Sequence, residues 1–260
     1  MPFSIAPGAS TAPVVVPTAP SDSSLRLSAA PTTCFACPAR AHGACSALSD
    51  QALPEMAAIA QTKGMAAGGT LVHEGDDAGA IHTVVSGMLK IFKTLPDGRQ
   101  QITGFATVGD TVGLVHGSAH VYTAEAITSV VTCRVGRRPL SGVIARNPAV
   151  QARLLAITSL ELAAAQEQIL LLGCKRGAER VCSFLLTLAR RNGHDCETGR
   201  PVIALPMLKT DMGAYLGLRP ETISRILRRL EDAGAITRTS NVDIRLDDLT
   251  FIQDLAHGGE

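Results

Sequence analysis

The chain has 260 residues, a length typical of about two domains, each able to bury its own core. Its formal net charge is +1, so any basic surface that binds nucleic acid must be confined to one segment. No run approaches the roughly 18 apolar residues of a spanning helix, and the first residues lack the pattern of a signal peptide. We therefore expect a cytoplasmic protein without membrane contact.

The amino-acid composition of the N-terminal half changes along the chain. Residues 1–30 are mostly Ala, Pro, Ser, Thr and Val with almost no charge, which predicts a disordered tail. Residues 71–136 contain short alternating apolar runs, such as 81–85 and 88–92, separated by glycine turns. This spacing predicts an antiparallel barrel or roll, which we assign to a sensor domain over residues 31–147.

A long helix is predicted over residues 148–173, about 26 residues or roughly 39 Å. Apolar and small residues recur there at steps of three and four: Leu155, Thr158, Leu162, Ala165, Ile169 and Leu172. This period fits the seam of a two-stranded coiled coil and predicts a homodimer. The alternative is that the helix packs along its own roll.

Residues 174–260 contain the signature of a DNA-binding domain. An amphipathic run over 178–191 and an extended piece over 202–205 precede residues 209–230, which read as two helices joined at Gly217, with Pro220 at the first position of the second. The polar face of this second helix has a net charge of +2 and carries Glu221, Ser224, Arg225, Arg228 and Arg229.

These residue types suit the major groove of double-stranded DNA. Arg225 can contact a guanine, Glu221 can accept a hydrogen bond from a cytosine, and Ser224 can reach a base or a phosphate. Arg228 and Arg229 lie farther along the helix and are expected to meet phosphates, and Arg219 can do either. The alternative is an ordinary solvated helix face.

Two adjacent motifs carry a family resemblance. Residues 213–218 (Gly-Ala-Tyr-Leu-Gly-Leu) and 221–225 (Glu-Thr-Ile-Ser-Arg) resemble the recognition element of the FNR branch of the CRP/FNR regulators. Segments 69–76, 101–105, 109–113 and 168–172 are similar to that family as well. The resemblance implies an α+β fold, with an N-terminal antiparallel β-roll of the cyclic-nucleotide-binding type, a dimerisation helix, and a C-terminal winged helix whose wing is residues 236–246.

The same resemblance implies a function. It predicts an oxygen-responsive transcription regulator, not an enzyme, that activates genes under low oxygen and binds a TTGAT-N4-ATCAA inverted repeat. A hairpin like residues 95–99 contacts RNA polymerase in the relatives. No Ser/His/Asp order, P-loop or Gly-x-Gly-x-x-Gly after a strand points to catalysis.

The seven cysteines divide into candidate metal ligands and cysteines that match no ligand spacing. The pattern Cys34-x2-Cys37-x7-Cys45 offers three thiolates on one loop, and Cys133 resembles the distant fourth ligand of the family, which together imply a [4Fe–4S] cluster. His42 within the loop leaves a zinc site open, and a metal-free thiol switch is a further alternative. We predict that Cys182 is a core residue, while Cys174 and Cys196 stay unassigned.

The sequence fits two other sensor ligands less well. A cyclic nucleotide needs an acidic residue after Gly113 and an Arg-Ser pair farther on, but Leu114 and Tyr122-Thr123 occupy those positions. A haem ligand remains possible at His73, His82, His116 or His120. None of the four lies in a haem motif, and a lone histidine in a roll is more often a surface or hydrogen-bonded residue.

Overall fold

A computed structural model describes residues 34–115, 117–191 and 199–259. The predicted tail over 1–30, together with His116 and Cys196, lies outside the described residues. The described chain divides into two compact units: residues 34–175 with 206–223, and residues 176–205 with 224–259. Each unit is described by itself.

The first unit contains the predicted antiparallel roll. Short 3-10 turns over residues 34–47 and helix α1 (Leu53–Ile59) precede it. Its strands are β1 (Ala60–Met65), β2 (Thr70–Val72), β3 (Ala80–Ser86), β4 (Leu89–Thr94), β5 (Gln100–Ala106), β6 (Thr111–Val112), β7 (Thr123–Ala126) and β8 (Val130–Gly136). They form two four-stranded sheets, in the orders β1-β8-β3-β6 and β2-β7-β4-β5. Alternate side chains of the sheets, including Val84, Leu89 and Val130, form the apolar interior of the roll.

Two helices follow the roll in the first unit. Helix α2 (Arg137–Arg146) ends before Asn147, and α3 (Pro148–Cys174) begins at the proline, which lacks the donor that is unpaired at a helix start anyway. Among the described residues, α3 alone is long and apolar enough to cross a membrane by length and composition. The sequence did not predict α1 or α2. Helix α2 contains Pro139 and Gly142, which are poor helix formers, but packing of Leu140 and Val143 in the core stabilises it.

The second unit holds α4 (Gly177–Arg191), the strands β9 (Val202–Ala204), β10 (Ile236–Arg238) and β11 (Asp243–Leu246), and the C-terminal α7 (Leu249–Ala256). The strands form one antiparallel sheet in the order β10-β11-β9, so the predicted wing over residues 236–246 is present as a hairpin. Helix α4 packs on α7, and Cys182 is fully buried on α4, as predicted.

Candidate metal centre and nucleic-acid interface

Four cysteines line one cavity of the first unit: Cys34, Cys37, Cys45 and Cys133. The 3-10 turns fold the loop so that its three cysteines line the same cavity. Cys133 lies on β8, opposite Thr83 of β3. Because side chains alternate along a strand, Cys133 shares its face of the sheet with Val135. Val135 packs in the same apolar cluster as the loop residue Ala44.

Three thiols of this cavity, those of Cys34, Cys45 and Cys133, favour the protonated form. Burial, with a smaller contribution from the nearby thiols, raises the pKa of Cys133 to about 12 and that of Cys45 to about 11. Burial also raises the pKa of Cys34, with a contribution from Cys37. A metal bound here must therefore displace protons from cysteine.

The four cysteines of the cavity, as the structure places them, do not form a site for one metal ion. No group of three His, Cys, Asp or Glu side chains in the described segments is placed to hold one metal ion. A [4Fe–4S] core takes one thiolate on each iron, so its ligands stand farther apart than the four ligands of a zinc ion. His42 is exposed and does not line the cavity, so it does not meet the three loop cysteines as a zinc site would require.

The cysteine loop is attached to the base of α3. Arg153 of α3 donates hydrogen bonds from Nη2 to the carbonyl of His42, at 2.5 Å, and from Nε to the carbonyl of Gly43, at 3.5 Å. Val150 and Leu154 of the same helix pack in the apolar cluster that contains Cys45 and Cys133. The loop and the long helix are therefore mechanically joined. The sequence gives no signal for this contact, because Arg153 bonds to carbonyls about 110 residues away.

A close approach at the loop requires glycine. Gly109 has φ +93°, and a Cβ added there would lie 2.4 Å from the Cβ of His42. Any side chain at this position would both strain the backbone and push the cysteine loop away.

The predicted dimer seam is on the outside of α3. Leu155, Leu162 and Ile169 are 68%, 61% and 71% exposed, at intervals of seven residues. Thr158 and Ala165 between them are also exposed, and Leu172 is half-buried. The buried side of α3 carries other residues, such as Ile157 and Leu171, so the seam does not pack on the roll.

The helix-turn-helix of the sequence is present as α5 (Lys209–Leu216) and α6 (Pro220–Asp232). Gly217 ends α5 in the left-handed conformation, and a Cβ at Gly213 would lie 2.5 Å from the carbonyl of Leu218, so the turn requires glycine at both positions. Ile223 and Leu227 of α6 are buried.

The predicted DNA-contacting side chains lie on the surface. Arg219, Glu221, Arg225, Arg228 and Arg229 are exposed, and Ser224 is half-buried. The exposed face of α6 is thus basic, and the contacts of its side chains with DNA stay a prediction.

Helix α5 also contacts the roll inside the first unit, which sequence reasoning missed. Lys90 of β4 forms an ion pair with Asp211 at 3.2 Å, and the Gln101 amide donates to the carbonyl of Ala214 at 2.6 Å. Burial alone would lower the pKa of Lys90, but its hydrogen bonds to Glu125 and Asp211 raise it above the ordinary value. The first helix of the DNA-binding motif is therefore fixed to the sensor roll by polar contacts.

The residues at the expected cyclic-nucleotide position bond to the protein itself. The Tyr122 hydroxyl accepts a hydrogen bond from the N–H of Gly113 at 2.8 Å, and the Thr123 hydroxyl accepts one from the N–H of Glu74 at 3.1 Å. Neither side chain offers the positive charge that a cyclic phosphate requires.

A β-roll, a long exposed helix and a helix-turn-helix with a basic second helix and a wing define a DNA-binding regulator. Sequence profiles agree: the Crp-like helix-turn-helix domain matches residues 179–255, and the cyclic nucleotide-binding domain matches residues 63–147.

Known proteins resemble the chain along most of its length. It is 33% identical to the nitrogen fixation regulation protein FixK of Bradyrhizobium diazoefficiens over 78% of this chain and 85% of the relative. It is 32% identical to the fumarate and nitrate reduction regulatory protein of Salmonella typhi over 68% and 72%. The structure of FixK2 from Bradyrhizobium japonicum superposes with a TM-score of 0.70 and 34% identity, covering 76% of this chain and 97% of that one.

The chain belongs to the CRP/FNR family of transcription regulators, and it is a DNA-binding regulator rather than an enzyme.

Proposed function

We propose that this regulator senses oxygen through a [4Fe–4S] cluster held by Cys34, Cys37, Cys45 and Cys133. The observation that supports this most directly is the shared cavity, in which one β8 cysteine meets three loop cysteines that lie about 90–100 residues earlier in the chain. Four thiolates are the usual ligand set of such a cluster, and when bound it supplies an oxygen-labile centre close to the protein surface.

The remaining ligand hypotheses have less support from the geometry. Zinc bound through His42 is disfavoured because that side chain lies outside the cavity. A zinc site made of His42 and the three loop cysteines would also leave Cys133 without a ligand role. Haem is disfavoured because His82 and His120, the buried histidines among the described residues, line a different cavity whose walls are charged rather than apolar.

Arg153 and the apolar residues beside it transmit the state of the loop. When the loop is held against β8, the carbonyls of His42 and Gly43 are in place to accept the hydrogen bonds of Arg153. Val150 and Leu154 then pack on the same cluster as the cysteines. A change in the loop thus alters the position of the first two turns of α3.

We propose that α3 pairs with its copy in a homodimer. Three large aliphatic side chains repeat every seven residues on its exposed face, which is the pattern of a coiled-coil seam. Burial of each contributes about 1.5–3 kcal/mol. A second copy covers this stripe with the matching period, whereas a membrane would also have to accept Arg153, Glu161 and Glu167 of the same helix.

The dimer would place two copies of α6 in successive major grooves. We propose that Glu221, Ser224 and Arg225 read the bases of a TTGAT-N4-ATCAA repeat, with half-site centres about 10–11 bp apart. Arg228 and Arg229 would contact phosphates, and Arg219 a base or a phosphate. The tight hairpin at residues 95–99, where Leu95 is 47% exposed, is the proposed contact with RNA polymerase in a cytoplasmic activator.

The direct test is the metal content of protein isolated without air. We expect about four irons per chain and a brown colour that air bleaches. Cys133→Ser should remove the iron, whereas Cys174→Ser, a change at an exposed cysteine outside the cavity, should leave it in place. Stoichiometric zinc that survives Cys133→Ser would overturn the assignment.

A further inference from the structure

A second cavity lies in the roll, on the opposite face of β3 and β8 from the cysteines. Its volume is about 210 Å³. Its polar lining comes from two strand cations, two histidines and two consecutive loop acids: Lys63, Arg134, His82, His120, Asp76 and Asp77. Backbone hydrogen bonds hold one side of it together, because the N–H of His120 donates to the carbonyl of Asp76 and the N–H of Ala78 to that of Ser118.

Both histidines are buried with an unused ring nitrogen. His82 is 6% exposed and His120 is 4% exposed, and the Nδ1 atom of each has no hydrogen-bond partner. Neither histidine lies on the surface, and the Nδ1 atom of each lacks the hydrogen bond that the sequence-based expectation allowed for. Native proteins satisfy nearly all buried polar atoms, so each unpartnered nitrogen needs an explanation. A ligand that hydrogen-bonds to both imidazoles provides one.

The charges of the cavity indicate what kind of ligand fits. Lys63 forms no ion pair within the described part of the chain, and Arg134 makes only a 3.3 Å hydrogen bond to the amide of Gln61. Burial, together with the nearby charges of Arg134 and Lys63, lowers the pKa of His82 to about 4, so its ring is neutral near pH 7. The two cations and the ring of His82 form a side that attracts an anion.

The acidic residues define the other side. Asp76 and Asp77 lie near His120 and can accept hydrogen bonds from hydroxyl groups. A divalent metal fits less well. The described His and Asp side chains do not converge in threes on one point, and two cations line the same space.

We propose that this cavity binds a small hydroxylated oxyanion, with its phosphate or carboxylate between Lys63 and Arg134 and its hydroxyl groups toward Asp76 and Asp77. The site is separate from the cysteine cavity, but it shares two strands with it. His82 precedes Thr83 of the cysteine cavity on β3, and Arg134 follows Cys133 on β8. The ligand would therefore act on the same sheet that supports the cysteine loop.

The test is calorimetric titration of the full chain with glycerol 3-phosphate and with tartrate, in a buffer free of phosphate, with sodium chloride at equal ionic strength as the blank. We expect saturable binding of one of the two probes. Binding of glycerol 3-phosphate would identify a phosphate ligand, and binding of tartrate a carboxylate. Lys63→Ala and Arg134→Ala should each weaken it about 10- to 100-fold, the effect of losing a charge-assisted hydrogen bond. Both side chains are at least partly exposed, so the fold should survive.

Arg138→Ala is the matched control, because Arg138 is an exposed arginine of the same unit that does not line the cavity. It should leave the affinity unchanged. Heat signals equal to the salt blank for both probes, or equal weakening in the Arg138 variant, would overturn the proposal. So would zinc that binds more tightly after Arg134→Ala, since that result would identify a cation site. None of these outcomes depends on the iron content of the protein.

Discussion

Replacing Arg153 by alanine tests whether the cysteine loop and α3 are mechanically joined. The substitution removes two hydrogen bonds from a charged donor to the carbonyls of His42 and Gly43. Such bonds are worth about 1.5–3 kcal/mol each in favourable cases. Because one of the two is long and the side chain is only half-buried, we expect the loop to lose about 1–2 kcal/mol, a factor of about 5–30 in local opening.

Hydrogen exchange on the cluster-free protein measures this opening directly. The amides of Gly43 and Ser46, which bond within the loop, should exchange about 5–30 times faster in Arg153→Ala than in the wild type. Arg153→Lys should fall between the two, because a lysine is a single point donor and cannot hold both carbonyls. Arg138→Ala is the control for loss of a surface arginine. If exchange at Gly43 is the same in Arg153→Ala as in the wild type, the connection is refuted. It is also refuted if the ratio of DNA affinities between the iron-loaded and iron-free forms is the same in Arg153→Ala as in the wild type.

Three further predictions concern the DNA contact, the dimer and the roll. Arg225→Ala should cost about 1–3 kcal/mol per half-site and relax the preference for guanine, whereas Arg228→Ala should weaken all sequences alike and reduce the salt slope by about one unit. Equal losses on matched and guanine-substituted sites in gel shifts would make Arg225 a phosphate contact. Ala165 places no charge in the predicted seam, so the cluster-free chain should stay dimeric and Ala165→Asp should weaken association. Sedimentation of a cluster-free monomer at micromolar concentration would contradict this. His82 has a folded pKa of about 4 against an ordinary 6.5, so the unfolded state binds the proton first and stability should fall as pH drops from 6.5 to 4. His82→Phe should flatten that fall in urea unfolding, and an equally steep decline would contradict the assignment.

Elements with a strong period or specific turn chemistry were predictable from sequence. The α3 helix extends from Pro148 to Cys174, close to the predicted 148–173, because its apolar period is uninterrupted. Pro220 begins α6 as expected, and the wing lies within residues 236–246. In each case, local residues alone determine the element.

Contacts between distant segments were not predictable. The Lys90–Asp211 pair joins residues 121 positions apart, and helix α2 forms although it contains Pro139 and Gly142. In the same way, nothing local shows that His82 is buried with an unpartnered nitrogen, since this depends on loops that close over the roll. The cysteine set was proposed from family resemblance, and the shared cavity adds the spatial proximity that spacing alone could not give.

The central claim is that an oxygen-labile cluster on Cys34, Cys37, Cys45 and Cys133 controls DNA binding. The most direct measurement adds air in steps to anaerobically isolated protein and follows bound iron and affinity for the TTGAT-N4-ATCAA repeat in the same samples. We predict that both fall together, and that Cys133→Ser starts at the low affinity of the air-treated protein. Affinity that stays constant while the iron is lost, or a preparation that carries zinc instead of iron, would contradict the claim.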